Sequence, residues 1–125
     1  VKEREEVIKE YFNSWVIRDE SVLEKVFEED IMYIECYGPA YKGIGQVKKW
    51  VTEWYKHGRV IVWNINEFVH NERYSICDWY FECEYDGKLD GFNGVSWIEF
   101  SERNKIIKLR EYQSKVPNYF PYDTK

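Results

Sequence analysis

Between Glu3 and Ile17 the apolar residues Val7, Ile8, Tyr11, Phe12 and Trp15 recur at helical spacing, while Arg4, Glu6, Lys9 and Glu10 fall on other faces. The pattern predicts an amphipathic helix. A second, shorter helix is expected after Asp19 or Ser21, where Ser21-Val22-Leu23-Glu24 fits a capping box and Leu23, Val26 and Phe27 form a buried stripe. Ile31 to Tyr37 then reads as a strand, Gly38-Pro39 as a turn and Ala40 to Lys42 as a short strand. Gly43 opens a third helix carrying Ile44, Val47, Trp50, Val51 and Trp54, with His57-Gly58 as its stop. Beyond it the period falls to two. Arg59 to His70, Tyr74 to Tyr85, Phe92 to Phe100 and Lys105 to Ser114 read as four strands, joined at Asn71-Glu72, Asp86-Gly87 and Glu102-Arg103-Asn104.

Helices followed by a meander of long strands describe an α+β domain, with three helices in the N-terminal half packed on one face of a strongly bent, mainly antiparallel sheet. The 125 residues make a single domain, and 116–125, with two prolines and three aromatics, form an extended tail. A βαβ nucleotide fold is disfavoured, since helices and strands do not alternate and no glycine-rich phosphate loop is present.

Net charge is −5 and the basic residues are scattered, which argues against nucleic acid as a partner. No apolar run is long enough for a membrane span and the amino end is charged, so the chain reads as soluble and cytoplasmic. Cys36, Cys77 and Cys83 lack metal-ligand spacing and read as reduced structural thiols. His57 and His70 stand too far apart to indicate a metal centre, and neither metal nor cofactor is expected. The aromatic content is 19%, with 6 Trp and 11 Tyr, more than a small core needs, and the excess points to a ligand cavity, a partner surface or both.

One carboxylate stands out. Glu35 lies in the aromatic and β-branched run Tyr33-Ile34-Glu35-Cys36-Tyr37-Gly38, and a carboxylate removed from water titrates upward or performs proton chemistry.

The element order, together with Phe27-Glu28-Glu29-Asp30, Tyr33 to Gly38, Tyr41-Lys42-Gly43 opening a helix, and Arg110-Glu111-Tyr112, resembles the NTF2-like superfamily. Within it the chain is similar to the SnoaL-like and ketosteroid-isomerase-like small proteins. The resemblance implies a conical fold with a mostly apolar cavity, a small apolar or aromatic ligand, and a homodimer paired through its sheets. It also implies Glu35 as catalytic base and Tyr11 as oxyanion-binding tyrosine, with Ser96 where those isomerases carry a second oxyanion donor. The limonene-epoxide-hydrolase branch is similar at Tyr33-x-Glu35 and at Glu111, with Asp78 in its aspartate's place, but Ile76 stands where its arginine belongs. SnoaL-type cyclases look similar on the Glu111 strand.

The catalytic reading assigns Glu35, Tyr11 and Glu111 to proton transfer, as isomerisation or cyclisation of a carbonyl compound, with Trp15, Tyr33, Trp50, Trp54, Asp78 and Ser96 around the ligand. Strand alternation puts Cys77, Trp79, Phe81 and Cys83 on one face and Ile76, Asp78, Tyr80 and Glu82 on the other. Asp78 reaches the cavity only if the apolar set faces a partner instead of the helices. Two other readings stay open: a non-catalytic binding module, and an adaptor dimer with a filled core.

Overall fold

The apolar face of the first helix is the surface on which the rest of the chain closes. The computed structural model, which describes residues 1–123, gives α1 as Lys2–Ile17, α2 as Val22–Val26 and α3 as Gly43–Tyr55. The strands are β1 (Phe27–Ile34), β2 (Ala40–Lys42), β3 (Gly58–His70), β4 (Tyr74–Tyr85), β5 (Lys88–Phe100) and β6 (Ile106–Lys115). They form one sheet in the order β2-β1-β6-β5-β4-β3. Only β1 and β6 run parallel; every other pair is antiparallel. Register shifts interrupt β3 at Val60/Val62 and Ile65/Glu67, β1 between Phe27 and Met32, and β6 between Ile106 and Lys108, opposite Glu99/Phe100. Such bulges bend a strand and increase its twist, and the sheet curls around the helices as an α+β cone.

Four differences from the sequence reading have local causes. The capping box at Ser21 does not form, because Ser21 Oγ donates to Asp19 Oδ1 at 2.6 Å and leaves α2 as a short helix of five residues. Phe27, expected on that helix, is instead the first residue of β1, extended and paired with Ile106. At its other end β1 stops at Ile34, short of Tyr37. The backbone N–H of Gly38 turns back to the carbonyl of Glu35, with Gly38 at φ 114. In the following hairpin Asp86 and Gly87 both adopt positive φ, as a tight two-residue turn requires, so β5 begins at Lys88.

The core is aromatic. Ile8, Tyr11, Phe12 and Trp15 of α1 are buried with Tyr33, Trp79, Phe92, Ile98 and Leu109 of the sheet. The set Cys77, Trp79 and Cys83 faces the helices, and Asp78 is exposed on the opposite face. That outer face also carries Trp97 and Tyr112, each about half exposed, beside Tyr74, Lys108 and Arg110. In the tail, Tyr119, Phe120 and Tyr122 are exposed and do not line the cavity described below. Positions 124 and 125 of the tail lie outside the described residues. Among those described, no helix is long and apolar enough to cross a membrane.

Gly94 fixes where the largest ring sits. It pairs with Trp79 across β4 and β5, and a Cβ placed there would stand 2.2 Å from the indole. Gly94→Ala is therefore expected to lose about 1–3 kcal/mol by displacing Trp79. Gly45, which is helical and has nothing within 4 Å of its own Cβ direction, should gain about 0.4–1 kcal/mol as Gly45→Ala. Urea denaturation of both variants checks the pair.

Candidate functional site

The curl of the sheet against α1 and α3 leaves a narrow slot of about 40 Å³ whose walls are mainly rings. Trp15 comes from α1, Trp50 and Trp54 from one face of α3, Trp63 from β3, Trp79 and Phe81 from β4, and Phe92 from β5. Tyr33, Glu35, Cys36 and Tyr37 of β1 and its turn, with Glu111 of β6, complete it. By the usual measure of about 10–15 Å³ per enclosed water, the slot takes roughly three water-sized groups. It opens into a mouth of about 510 Å³ bounded by Pro39, Tyr41, Glu53, His57, Cys83, Tyr85 and Asp90. Glu35, Tyr37, Trp50, Trp54 and Phe81 belong to both spaces and form the throat between them.

Glu111 is buried and ends a chain of hydrogen bonds with one polarity. The Trp15 indole donates to the Tyr11 hydroxyl at 2.9 Å, Tyr11 donates to Tyr33 at 2.5 Å, and Tyr33 donates to Glu111 Oε2 at 2.5 Å. An indole N–H can only donate and an ionised carboxylate can only accept, so the two ends fix the direction of the hydroxyls between them. When Glu111 is protonated, its proton belongs on the other oxygen. Burial pushes this carboxyl up to about 8 from an ordinary value of 4.5; the Tyr33 bond and the Cys36 backbone N–H pull it down, and the Glu35 charge adds to the rise. Tyr11 and Tyr33 are held well above the ordinary phenol range, first by burial and then by the Glu111 charge, so they stay neutral donors.

Glu35 is equally buried but sits at the throat, on both the slot and the mouth. Its Oε2 accepts the Tyr41 hydroxyl at 2.6 Å, and Tyr41 is stacked on Trp50 with centroids 4.7 Å apart. Burial raises the Glu35 carboxyl and the Tyr41 bond partly lowers it. The site thus contains two carboxyls with upward shifts, one at the closed end and one at the entrance. Cys36 also lines the slot, but burial pushes its thiol up to about 12, which leaves it a poor nucleophile. Among the described residues, no group of three or more His, Cys, Asp or Glu side chains is placed to hold a metal ion.

Of the residues singled out from the sequence, Trp15, Tyr33, Glu35, Trp50, Trp54 and Glu111 meet in this cavity. Tyr11 does not. It lies behind Tyr33, fully buried, with its proton committed to Tyr33, and so orients Glu111 at one remove instead of facing a ligand oxygen. Ser96 is also withdrawn, because its Oγ accepts the Trp79 indole N–H at 2.9 Å and holds that ring against the slot. Asp78 points out of the cone, since its strand turns the apolar set inward.

Trp63, Trp79, Phe81, Phe92 and Tyr41 were missed. The alternation on β4 carried the signal for Trp79 and Phe81, whereas only the sheet order brings β3 and β5 to the same cavity. Trp63 has a further peculiarity: its indole N–H is buried and has no hydrogen-bond partner among the described residues. Its ring is stacked on Phe12 at 3.8 Å and wedged edge-on against Trp79 at 5.5 Å.

No family model and no curated protein matches this chain. Solved structures do match its fold. An LEH-like epoxide hydrolase from M. tuberculosis is 11% identical with a TM-score of 0.80, over 90% of this chain and 84% of that one. A protein with a ketosteroid isomerase-like fold from Catenulispora acidiphila, solved in complex with trimethylamine, is 14% identical with a TM-score of 0.77, over 86% and 84%. A candidate SnoaL-like polyketide cyclase from Jannaschia sp. is 12% identical with a TM-score of 0.74, over 90% and 85%. The chain has the NTF2-like, SnoaL-like fold, and identities of this order speak to fold alone.

The raised Glu111 sets a pH dependence of stability. Between about 4.5, where the unfolded carboxyl ionises, and about 8, the folded chain holds a proton that the unfolded chain releases, so stability falls as pH rises through that window. Glu111→Gln keeps the acceptor for Tyr33 and removes the titration. The variant should gain on wild type as pH goes from 5 to 8, measured by urea denaturation at both values.

Proposed function

We propose that this protein binds a small carbonyl compound in the slot and moves a proton within it, as an isomerisation or a cyclisation, with Glu35 and Glu111 as the acid–base pair. The observation that carries the reading is a buried carboxyl, Glu111, on the same aromatic cavity as a second buried carboxyl at the entrance. Below pH 8 Glu111 is mostly neutral and donates a hydrogen bond to the substrate oxygen. Glu35 takes a proton from the adjacent carbon and returns it to another. Tyr33, Tyr11 and Trp15 position Glu111 by fixing which of its oxygens is occupied. In this reading Glu111 takes the oxygen-facing role expected from sequence for Tyr11 and Ser96, whose polar groups are committed to Tyr33 and Trp79.

The narrowness of the slot favours a second reading, a non-catalytic binding module for a small apolar or aromatic ligand. With about 40 Å³ free, most of such a ligand would rest in the mouth, away from Glu111. Pairing of two copies through the outer sheet face around Trp97 and Tyr112 is also part of the proposal, because a half-exposed tryptophan and tyrosine on one face favour burial. Trp97→Glu is then expected to shift the sedimentation coefficient from dimer to monomer.

Hydrogen–deuterium exchange at carbon tests the chemistry. A panel of enolisable ketones and esters incubated with the protein in D2O should include compounds whose α-protons exchange, followed by NMR. Glu35→Gln should slow that exchange by about 10²–10⁴-fold. Glu111→Gln should also slow it and abolish a rate change centred near pH 8. Binding without exchange, in wild type and variants alike, would leave the binding module as the function.

A further inference from the structure

The throat is an aromatic collar around one carboxylate. The five residues common to slot and mouth are Glu35, Tyr37, Trp50, Trp54 and Phe81. Among the described residues no lysine or arginine lines either space, and the one basic residue there, His57, is hydrogen-bonded to Asp86 at 2.9 Å. Elsewhere the chain lays its own cations over rings: Arg4 over Phe100, Lys9 over Phe68, Arg18 over Tyr55 and Arg73 over Tyr74. Among the described residues, none of the collar rings is covered in this way. The collar therefore combines rings that carry none of the chain's own cations, Trp50 being stacked on one face by Tyr41, with a buried carboxyl whose side-chain partner among the described residues is the neutral Tyr41 hydroxyl.

That combination selects a ligand by charge. Aromatic faces attract a cation through the ring quadrupole, most strongly when water is excluded, and alkylated ammonium groups are the ligands best suited to such a cage. The carboxylate adds attraction for the same charge and repels an anion. The other carboxylates on the route inward, Glu53 and Asp90 at the mouth, have the same sign, although Glu53 is already paired with Lys56. Together they bias approach toward cations.

We propose that the ligand carries a small alkylammonium group, seated at the throat against Trp50, Trp54, Tyr37 and Phe81, with Glu35 as its counter-ion. The proposal rests on the reading of slot and mouth as one ligand site and names the substrate class for it. A C–H bond flanked by a cationic nitrogen and a carbonyl is acidified by both, and Glu35 lies beside the cation as the base. The proton leaves carbon for the Glu35 carboxylate, the electron pair moves onto the carbonyl oxygen facing Glu111, and reprotonation at carbon by the Glu35 acid restores both groups. The slot's few-atom capacity suits the carbonyl end, and the mouth takes the rest.

Three probes of one shape and different charge test it: choline, the neutral 3,3-dimethylbutan-1-ol, and the anionic 3,3-dimethylbutanoate. Each is titrated against the intact protein, followed by the tryptophan indole N–H resonances and by calorimetry. Choline should bind about tenfold or more tightly than the alcohol, and the carboxylate should not bind. Glu35→Gln should reduce the preference for choline by about tenfold, leaving the part that the rings supply. Trp54→Leu, checked for folding by circular dichroism, should weaken choline more than the alcohol. Equal or tighter binding of the alcohol, or a choline preference that Glu35→Gln leaves unchanged, overturns the cationic ligand with Glu35 as its counter-ion and leaves the pocket reading standing. If no probe shifts a throat indole, the shared premise fails and the proposal falls with it.

Discussion

The enclosed carboxyl of Glu111 is the constraint around which the inner half of the cone is organised. A carboxylate removed from water costs on the order of several kcal/mol unless its lone pairs are occupied. Here the response is double. The group takes up a proton far more readily than it would in water, and a three-donor chain from α1 through β1 to β6 satisfies one oxygen in either state. That chain ties the first helix to a strand of the sheet across nearly the whole length of the sequence. Tyr11 and Tyr33 are thereby committed to orientation, which is why the hydroxyl nearest to an oxyanion role in sequence is not the one that faces the cavity.

The rings that build the core also set the dimensions of the site. Phe12 and Trp63 stack, Trp79 stands edge-on to both, and Trp15 meets Trp50 and Trp54 edge-on at 5.2 and 5.3 Å. Flat, rigid side chains packed at right angles leave slots instead of rounded holes, and the free volume beside Glu111 is such a slot. Its shape depends on residues that touch no ligand. Gly94 gives the Trp79 ring its place, and Ser96 holds the indole nitrogen there.

Much of the fold was legible in the chain because burial has a period. The switch from a period of 3.6 to one of two after His57 separates α3 from β3. Asp86-Gly87 marks its hairpin because both residues accept positive φ. Boundaries were less legible where two signals competed. Ser21 carried a capping pattern, but Asp19 offered its hydroxyl a nearer acceptor. Phe27 fitted the helical stripe equally well as the start of a strand, and its pairing with Ile106, distant in sequence, decided the matter.

Glu111 entered only through the family resemblance. By itself the sequence determined the α+β class, the helix and strand order, and the presence of an unusual carboxyl at Glu35 among an excess of aromatics. These follow from local periodicity and from the cost of placing charge in apolar runs. Only the tertiary structure decided that Glu111 lies at the closed end and Glu35 at the throat, that Tyr11 and Ser96 serve the walls, that Asp78 faces out, and that Trp63 from β3 faces Trp79 from β4. The reason is physical: a side chain's partners across a curled sheet are set by strand order, register and bulges. Those depend on contacts between residues far apart in the chain, which no local pattern encodes.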